Sequence, residues 1–257
     1  SMTNFTKLVQ YALYCVGIDR YTSNPGSKYD PLTFDGALSS STLDALHSFQ
    51  SDYALPQRNT VLLDEWMGLL LSTGNPNRDG TAADCSTRLS AVKARAVKGD
   101  GYNMVGRYLT GTAGYGDTYH VKNLTPSEIQ NIFNAGLDLF VIYQDDEDWW
   151  QNHSDLSGYF SYGRGYSDAV KAVQAAYDLG IPMHELIYFA VDYDYMEGEV
   201  YQKVIPHFQG VKEAMAKAGN PYRIGIYGSR NTCGIVCANG LAESSFVSDM
   251  STGYSGN

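Results

Sequence analysis

The sequence predicts an α/β protein in two parts: a small three-helix domain over residues 1–74, then a (β/α) barrel-like domain over residues 75–257. Two observations carry this. In the first third, apolar residues recur at the spacing of helices. From residue 81 onward, short strand-like runs alternate with amphipathic stretches. Between the parts lies Ser72-Thr73-Gly74-Asn75-Pro76-Asn77-Arg78-Asp79-Gly80, a polar run of helix breakers that reads as a linker or a tight domain junction.

The first helix is predicted from Phe5, Leu8, Val9, Ala12, Leu13 and Val16, with Gly17 as its stop. A loop rich in Ser, Asn, Pro and Gly follows. The second helix should begin near Ser41 or Thr42 and bury Leu43, Ala45, Leu46, Phe49 and Tyr53. A short third helix is expected over Leu63 to Leu71, with Asp64 near its start.

The strand-like runs are Thr81 to Asp84, Met104 to Leu109, Leu137 to Tyr143, Leu186 to Val191, Tyr222 to Tyr227 and Phe246 to Met250. Two of them, Leu137 to Tyr143 and Leu186 to Val191, are almost continuously apolar, as strands covered on both faces should be. Helices are expected between them at Leu89–Val97, Pro126–Ala135, Tyr166–Leu179, Val200–Ala218 and near 231–239. Gly136, Gly180 and Gly219 stand where three of these helices would end. Gly163-Arg164-Gly165 reads as a loop. Six strands are recognisable, whereas a TIM-barrel-like fold has eight and usually needs about 250 residues. The barrel is therefore expected to be incomplete, or the chain to be a piece of a longer protein.

Composition narrows the function. The chain holds 18 Lys and Arg against 28 Asp and Glu, a formal charge of −10. Few cations are left to neutralise phosphates, which argues against nucleic acid as a partner. No apolar run approaches the roughly 18–20 residues of a membrane span. Ser1-Met2 reads as an expression scar, and Thr3 to Gly17 lack the basic start and cleavage site of a signal peptide. Cytoplasmic residence, export by another route and a missing leader all stay open. The 21 tyrosines offer flat apolar contact plus a hydroxyl, suited to ring-shaped polar ligands or simply to a Tyr-rich core.

Polar residues cluster at the ends of the predicted strands. Asp84, Arg107-Tyr108, Tyr143-Gln144-Asp145, Asp192-Tyr193-Asp194, Tyr227 and Asp249 each end one. Barrel enzymes place their chemistry there. If the fourth strand runs through Asp194, Asp192 and Asp194 share one face about 6.5–7 Å apart at Cα. Two close carboxyls cannot ionise equally, so one tends to keep its proton. That division supplies the acid and the charged partner of glycosidic cleavage. Asp84 would reach the same mouth. The bland alternative is a capping Asp192 and a solvated Asp194.

The acidic run Asp145 to Asp148 with Trp149-Trp150 suits a sugar-binding lip, or a solvated loop. Calcium is a third option, without EF-hand spacing. The five histidines show no ligand spacing and read mostly as surface or capping residues. Cys15, Cys85, Cys233 and Cys237 read as buried thiols or, for the last two, a local disulfide. No metal and no cofactor is expected, and the oligomeric state is open.

Val9-Gln10, Leu13, Gly17, Phe34-Asp35-Gly36, Thr42, Ala45, Phe49-Gln50, Leu55 and Trp66 together resemble the peptidoglycan-binding domain 1 family, over roughly residues 4–72. These landmarks equally serve packing and turns. Asp84-Cys85, Gly106-Arg107-Tyr108-Leu109, Ile142-Tyr143-Gln144, Gly163 to Ala169, Ala176-Tyr177, Leu179-Gly180-Ile181-Pro182, the run Ile187 to Asp194 and Gly225-Ile226-Tyr227-Gly228 resemble the DUF1906 glycoside-hydrolase-like domain, related to the family 25 muramidases. This resemblance implies a wall-glycan hydrolase, extracellular or cell-wall associated, acting on peptidoglycan. It maps Asp84 to the first-strand acid, Asp192 to the stabilising carboxylate and Asp194 to the general acid. Tyr108, Tyr143, Gln144, Asp145, Trp149, Tyr193, Tyr227 and Asp249 would line the substrate. The departure is Asp194 where the muramidases carry Glu. It opens the alternative of a non-catalytic wall-polysaccharide-binding protein on a degenerate barrel.

Overall fold

A computed structural model of the chain describes residues 2–18, 26–71, 80–145, 157–193 and 195–248. The chain divides into two compact units at Arg78 and Asp79.

In the first unit, α1 (Met2–Gly17), α2 (Ser40–Asp52) and α3 (Leu63–Leu70) enclose a core of Val9, Leu13, Tyr29, Leu46, Phe49 and Leu69. Ser39 caps α2, its side chain accepting from the Thr42 N–H. Four fully buried polar side chains, Gln10, Thr42, Gln50 and Glu65, tie the loops to the helices. Gln10 donates to the Ala37 carbonyl and the Thr42 hydroxyl, both at 3.0 Å, and accepts from the Gly36 N–H at 2.9 Å. Gln50 donates to Glu65 at 2.9 Å and accepts from the Arg58 N–H at 3.1 Å. Each buried amide is thus satisfied, as it must be to avoid a desolvation cost. Gly36 has φ +83°, and a Cβ there would lie 2.5 Å from the Thr3 carbonyl. The Gln, Thr and Asp-Gly landmarks of the sequence therefore build this unit's frame.

The second unit is built on a curled, six-stranded parallel sheet: β1 (Ala82–Asp84), β2 (Met104–Tyr108), β5 (Asp138–Tyr143), β6 (Leu186–Ala190), β7 (Arg223–Gly228) and β8 (Ser244–Val247). A small antiparallel hairpin, β3 (Thr112–Ala113) with β4 (His120–Val121), follows β2. In the main sheet the spatial order follows the chain order, β1-β2-β5-β6-β7-β8. A doubly wound sheet reverses its order near the middle. The unreversed order is that of a partial barrel. The connecting helices are α4 (Ala91–Gly99), α5 (Pro126–Asn134), α6 (Tyr162–Asp178), α7 (Ile205–Lys217) and α8 (Arg230–Ala238). A turn of helix (Glu197–Glu199) and a π-helical segment (Val200–Val204) lead into α7. Gly136, Gly180 and Gly219 end α5, α6 and α7 with φ of +76°, +71° and +85°.

Several expectations are corrected. Gly163-Arg164-Gly165 is helix, not loop. Ser161 caps α6 by accepting from the Arg164 N–H, and Gly165 with Gly210 of α7 lets the two helices meet. A Cβ on Gly165 would lie 1.9 Å from the His207 carbonyl of α7, and one on Gly210 would lie 2.1 Å from the Tyr162 carbonyl of α6. β8 begins two residues before Phe246 and ends at Val247. β6 ends at Ala190, so Asp192 lies beyond the strand and the same-face argument for the Asp192, Asp194 pair does not hold. His207 is buried rather than superficial. All four cysteines are free thiols; Cys233 is buried and Cys15 is exposed. The hairpin β3–β4 was not foreseen, since two-residue strands leave no periodicity to read.

Candidate functional site

The carboxyl ends of the strands form a rim. Asp84 is the last residue of β1, and Tyr108 the last of β2. Asp84 is the register partner of Gly106 on β2, and Tyr108 lies two residues beyond Gly106, so both share one face of the sheet. The Tyr108 hydroxyl donates to Asp84 Oδ2 at 2.8 Å. Lys122 Nζ lies 4.5 Å from the centre of the Tyr108 ring, a cation–π contact. The same ammonium donates to Gln144 Oε1 at 2.8 Å, and Gln144 Nε2 donates to Asp192 Oδ2 at 3.3 Å. Asp84, Tyr108, Lys122, Gln144 and Asp192 are thereby linked across four strand ends.

Burial raises the Asp84 carboxyl above the usual carboxylate range; the Tyr108 hydrogen bond opposes this, and the charge of Asp192 adds to it. Burial likewise pushes the Tyr108 hydroxyl up, reinforced by Asp84. Asp192 itself is exposed. Tyr227 stacks on Phe246, ring centres 5.1 Å apart, and its hydroxyl donates to Ser248 at 3.4 Å. Tyr193 is half-buried and packs against Tyr195 at 4.5 Å. Trp149, Asp194 and Asp249 lie outside the described residues.

Arg107, beside Tyr108, points to the opposite face and is fully buried. It pairs with Glu128 at 2.7 Å and donates to the carbonyls of Cys85 and Lys122. Glu128 also accepts from the Leu89 N–H at 2.7 Å. Arg107 thus fixes the backbone just after Asp84 and at Lys122.

A second polar layer lies beneath the rim. Tyr143, expected at the substrate, is buried there, as are Tyr159, Asp168 and His207. Asp168 Oδ2 is 3.0 Å from the Tyr159 hydroxyl, and its Oδ1 is 3.4 Å from the Tyr143 hydroxyl and 3.3 Å from Arg164 Nε. Burial raises Asp168 to about 7, against the pull of Arg164 and Tyr159. Burial lowers His207 to about 3, so it is neutral at physiological pH. A crevice lined by Tyr143, Asp168 and His207 below and by Gln144 and Asp192 above has room for about one water molecule. The half-buried Asp145 presents its carbonyl to Tyr159 at 3.0 Å and to Arg164 at 3.1 Å.

Lys122 and Asp168 were missed by sequence reasoning. Lys122 follows a two-residue strand without a pattern. Asp168, on a helix four residues after Arg164, looks like any surface ion pair. Among the described residues, no cluster of His, Cys, Asp and Glu could hold a metal, and no helix is long and apolar enough to cross a membrane.

A family model described as Rv2525c-like, glycoside hydrolase-like domain matches residues 95–257, which include Tyr108, Gln144 and Asp192 but not Asp84. The uncharacterized protein FadG of Bacillus subtilis (strain 168) is 42% identical over 225 residues, covering 87% of this chain and 37% of FadG. The uncharacterized protein YbfG of the same organism is 40% identical over 262 residues, covering 100% of this chain and 34% of YbfG. The chain thus spans about a third of the length of these relatives. Among solved structures, the Tat-secreted protein Rv2525c of Mycobacterium tuberculosis in complex with HEPES has the same fold. Its TM-score is 0.53 at 16% identity, over 68% of this chain and 81% of that one. The L-tartrate complex of Rv2525c gives 0.52.

Proposed function

The chain belongs to the Rv2525c-like, glycoside hydrolase-like domain family, and on that premise we propose that its rim binds and cleaves a cell-wall glycan of the peptidoglycan class. The observation that carries this reading is the joined pair of carboxyls. Asp84 is biased toward its protonated form by burial, and Asp192 raises it further from the next rim position but two. Unequal carboxyls at strand ends are the equipment of glycoside hydrolysis.

In this reading Asp194 protonates the leaving glycosidic oxygen. Asp192 stabilises the developing oxocarbenium ion or orients the N-acetyl group of the substrate as internal nucleophile. Asp84, held by Tyr108, sets the field in which Asp192 works. Gln144, Tyr193 and Tyr227 offer hydrogen bonds and ring faces to the sugar, with Trp149 and Asp249 as further contacts. The first unit, over residues 1–74, would act as a peptidoglycan-binding module. Relatedness to family 25 muramidases and an extracellular or wall-associated location go with this reading, and the fold neighbour Rv2525c is itself Tat-secreted.

A second reading, wall-polysaccharide binding without catalysis, is favoured by Asp194 in place of Glu, one methylene shorter. Small misplacement of a proton donor costs about 100-fold in rate. Digestion of purified peptidoglycan, with new reducing ends counted by mass spectrometry, separates the two. Release by the wild type that falls about 100-fold or more in Asp192→Asn and Asp194→Asn is the expected result for acid–base chemistry. Binding with no new reducing ends in the wild type would establish the second reading, and undiminished release by both variants would overturn the first.

A further inference from the structure

The hydrogen count around Tyr159 points to a device beneath the rim. The Tyr159 hydroxyl lies 3.0 Å from the Asp145 carbonyl and 3.0 Å from Asp168 Oδ2. A phenol has one proton and can donate only once. Both contacts are hydrogen bonds only if Asp168 carries a proton and donates to Tyr159 Oη, while Tyr159 donates to Asp145. Asp168 is 2% exposed, among Tyr143 of β5, Tyr159 before α6, Arg164 and Lys171 on α6, and His207 of α7, with Asp145 nearby. Of these the cations are Arg164 and Lys171, with His207 neutral. The crevice that Asp168 shares with Gln144 and Asp192 gives its proton a route out.

We propose that Asp168 is a positioning residue of the rim, which in its acid form latches the Asp145 carbonyl through Tyr159 and so holds the adjacent Gln144 against Asp192. When Asp168 loses its proton to solvent, the Tyr159 proton swings from the Asp145 carbonyl to the new carboxylate. Arg164, the other donor to that carbonyl, is drawn the same way, since its Nε is already 3.3 Å from Asp168 Oδ1. The Asp145 carbonyl then loses both of these contacts, and Gln144, still bound to Lys122 at 2.8 Å, shifts relative to Asp192. The latch is a property of the side chains described. That it governs glycan binding rests on the function proposed above.

The experiment follows the Gln144 side-chain amide resonances of the whole chain by NMR between pH 5 and pH 9 (about two units either side of the midpoint). In the wild type they should shift with a midpoint near 7. Asp168→Asn keeps a permanent donor to Tyr159, so its Gln144 signals should stay at the low-pH position throughout. Tyr159→Phe removes the relay and leaves only the Arg164 contact on the Asp145 carbonyl, so the pH-dependent shift of its Gln144 signals should be much smaller than in the wild type. A wild-type titration persisting in Asp168→Asn would overturn the inference, as would one persisting in Tyr159→Phe if Asp168→Asn does not fold. Binding of a soluble peptidoglycan fragment is measured in parallel. It should weaken about tenfold across the midpoint in the wild type and not in Asp168→Asn. A titrating Gln144 with no fragment binding at either pH would remove the glycan reading and leave the latch standing.

Discussion

Helices α6 and α7 meet through glycine, and a single methyl group can test that contact. In Gly165→Ala the new Cβ would sit 1.9 Å from the His207 carbonyl oxygen, where ordinary contact begins near 3.4 Å. The obstacle is backbone of a buried helix, which cannot rotate away as a side chain can. The helices must part locally by about 1.5 Å, and a gap of even ~1 Å forfeits up to half of a contact's dispersion energy. Overpacking of this kind costs about 1–3 kcal/mol or more. Against it stands the gain of alanine over glycine in a helix, about 1 kcal/mol. A clash with backbone belongs at the upper end, so the net loss should be about 2 kcal/mol. Gly163, in the first turn of the same helix, is the control: nothing lies within 4 Å of a Cβ there. Gly163→Ala should be neutral or stabilising by up to about 1 kcal/mol. Urea unfolding followed by circular dichroism compares the two, and a separation of about 2–3 kcal/mol is expected. If the two variants coincide within about 0.5 kcal/mol, the close contact does not constrain the packing and the reasoning is refuted.

Two further predictions concern the rim and its support. Tyr108→Phe removes the hydrogen bond that favours the Asp84 carboxylate, so the Asp84 midpoint should move further up in a carbon-detected NMR titration; a downward move would contradict the assigned causes. Arg107→Met leaves Glu128 buried without its partner and should cost about 3–5 kcal/mol in urea unfolding at pH 7. A loss below about 1 kcal/mol would mean that Glu128 finds another cation, Arg88 at 3.9 Å being the nearest.

Much of the second unit was legible because its central strands are apolar on both faces. Leu139 to Tyr143 and Ile187 to Phe189 announce themselves as apolar runs whatever surrounds them. The helix ends at Gly136, Gly180 and Gly219 were legible too, since a positive φ restricts the residue type locally. The start of α6 was not. Gly163 and Gly165 look like breakers in sequence, yet Gly165 answers to His207, 42 positions away, and not to its own turn. The site divides in the same way. Asp84, Tyr108, Gln144 and Asp192 stand at strand ends, where position in the pattern marks them. Asp168, Tyr159 and His207 come from helices and a loop, and only packing brings them together. Their polarity suggested solvent, while the structure buries and pairs them. Asp192 shows a subtler limit: the apolar run continues through Val191, but the strand stops at Ala190, and no local signal marks the stop.

The unreversed strand order also bears on how the chain comes off the ribosome. Each strand of the main sheet after β1 pairs with the strand synthesised before it, apart from the hairpin inserted between β2 and β5. Its docking edge therefore already exists when it emerges. The sheet can be laid down from the amino-terminal side, one strand and one covering helix at a time, without holding an early strand unpaired for a late partner. Sequence-near pairing keeps loop-closure costs low and shortens the exposure of unpaired edges. A ribosome stalled after α7 would carry a sheet that is narrower but already continuous from β1 to β6.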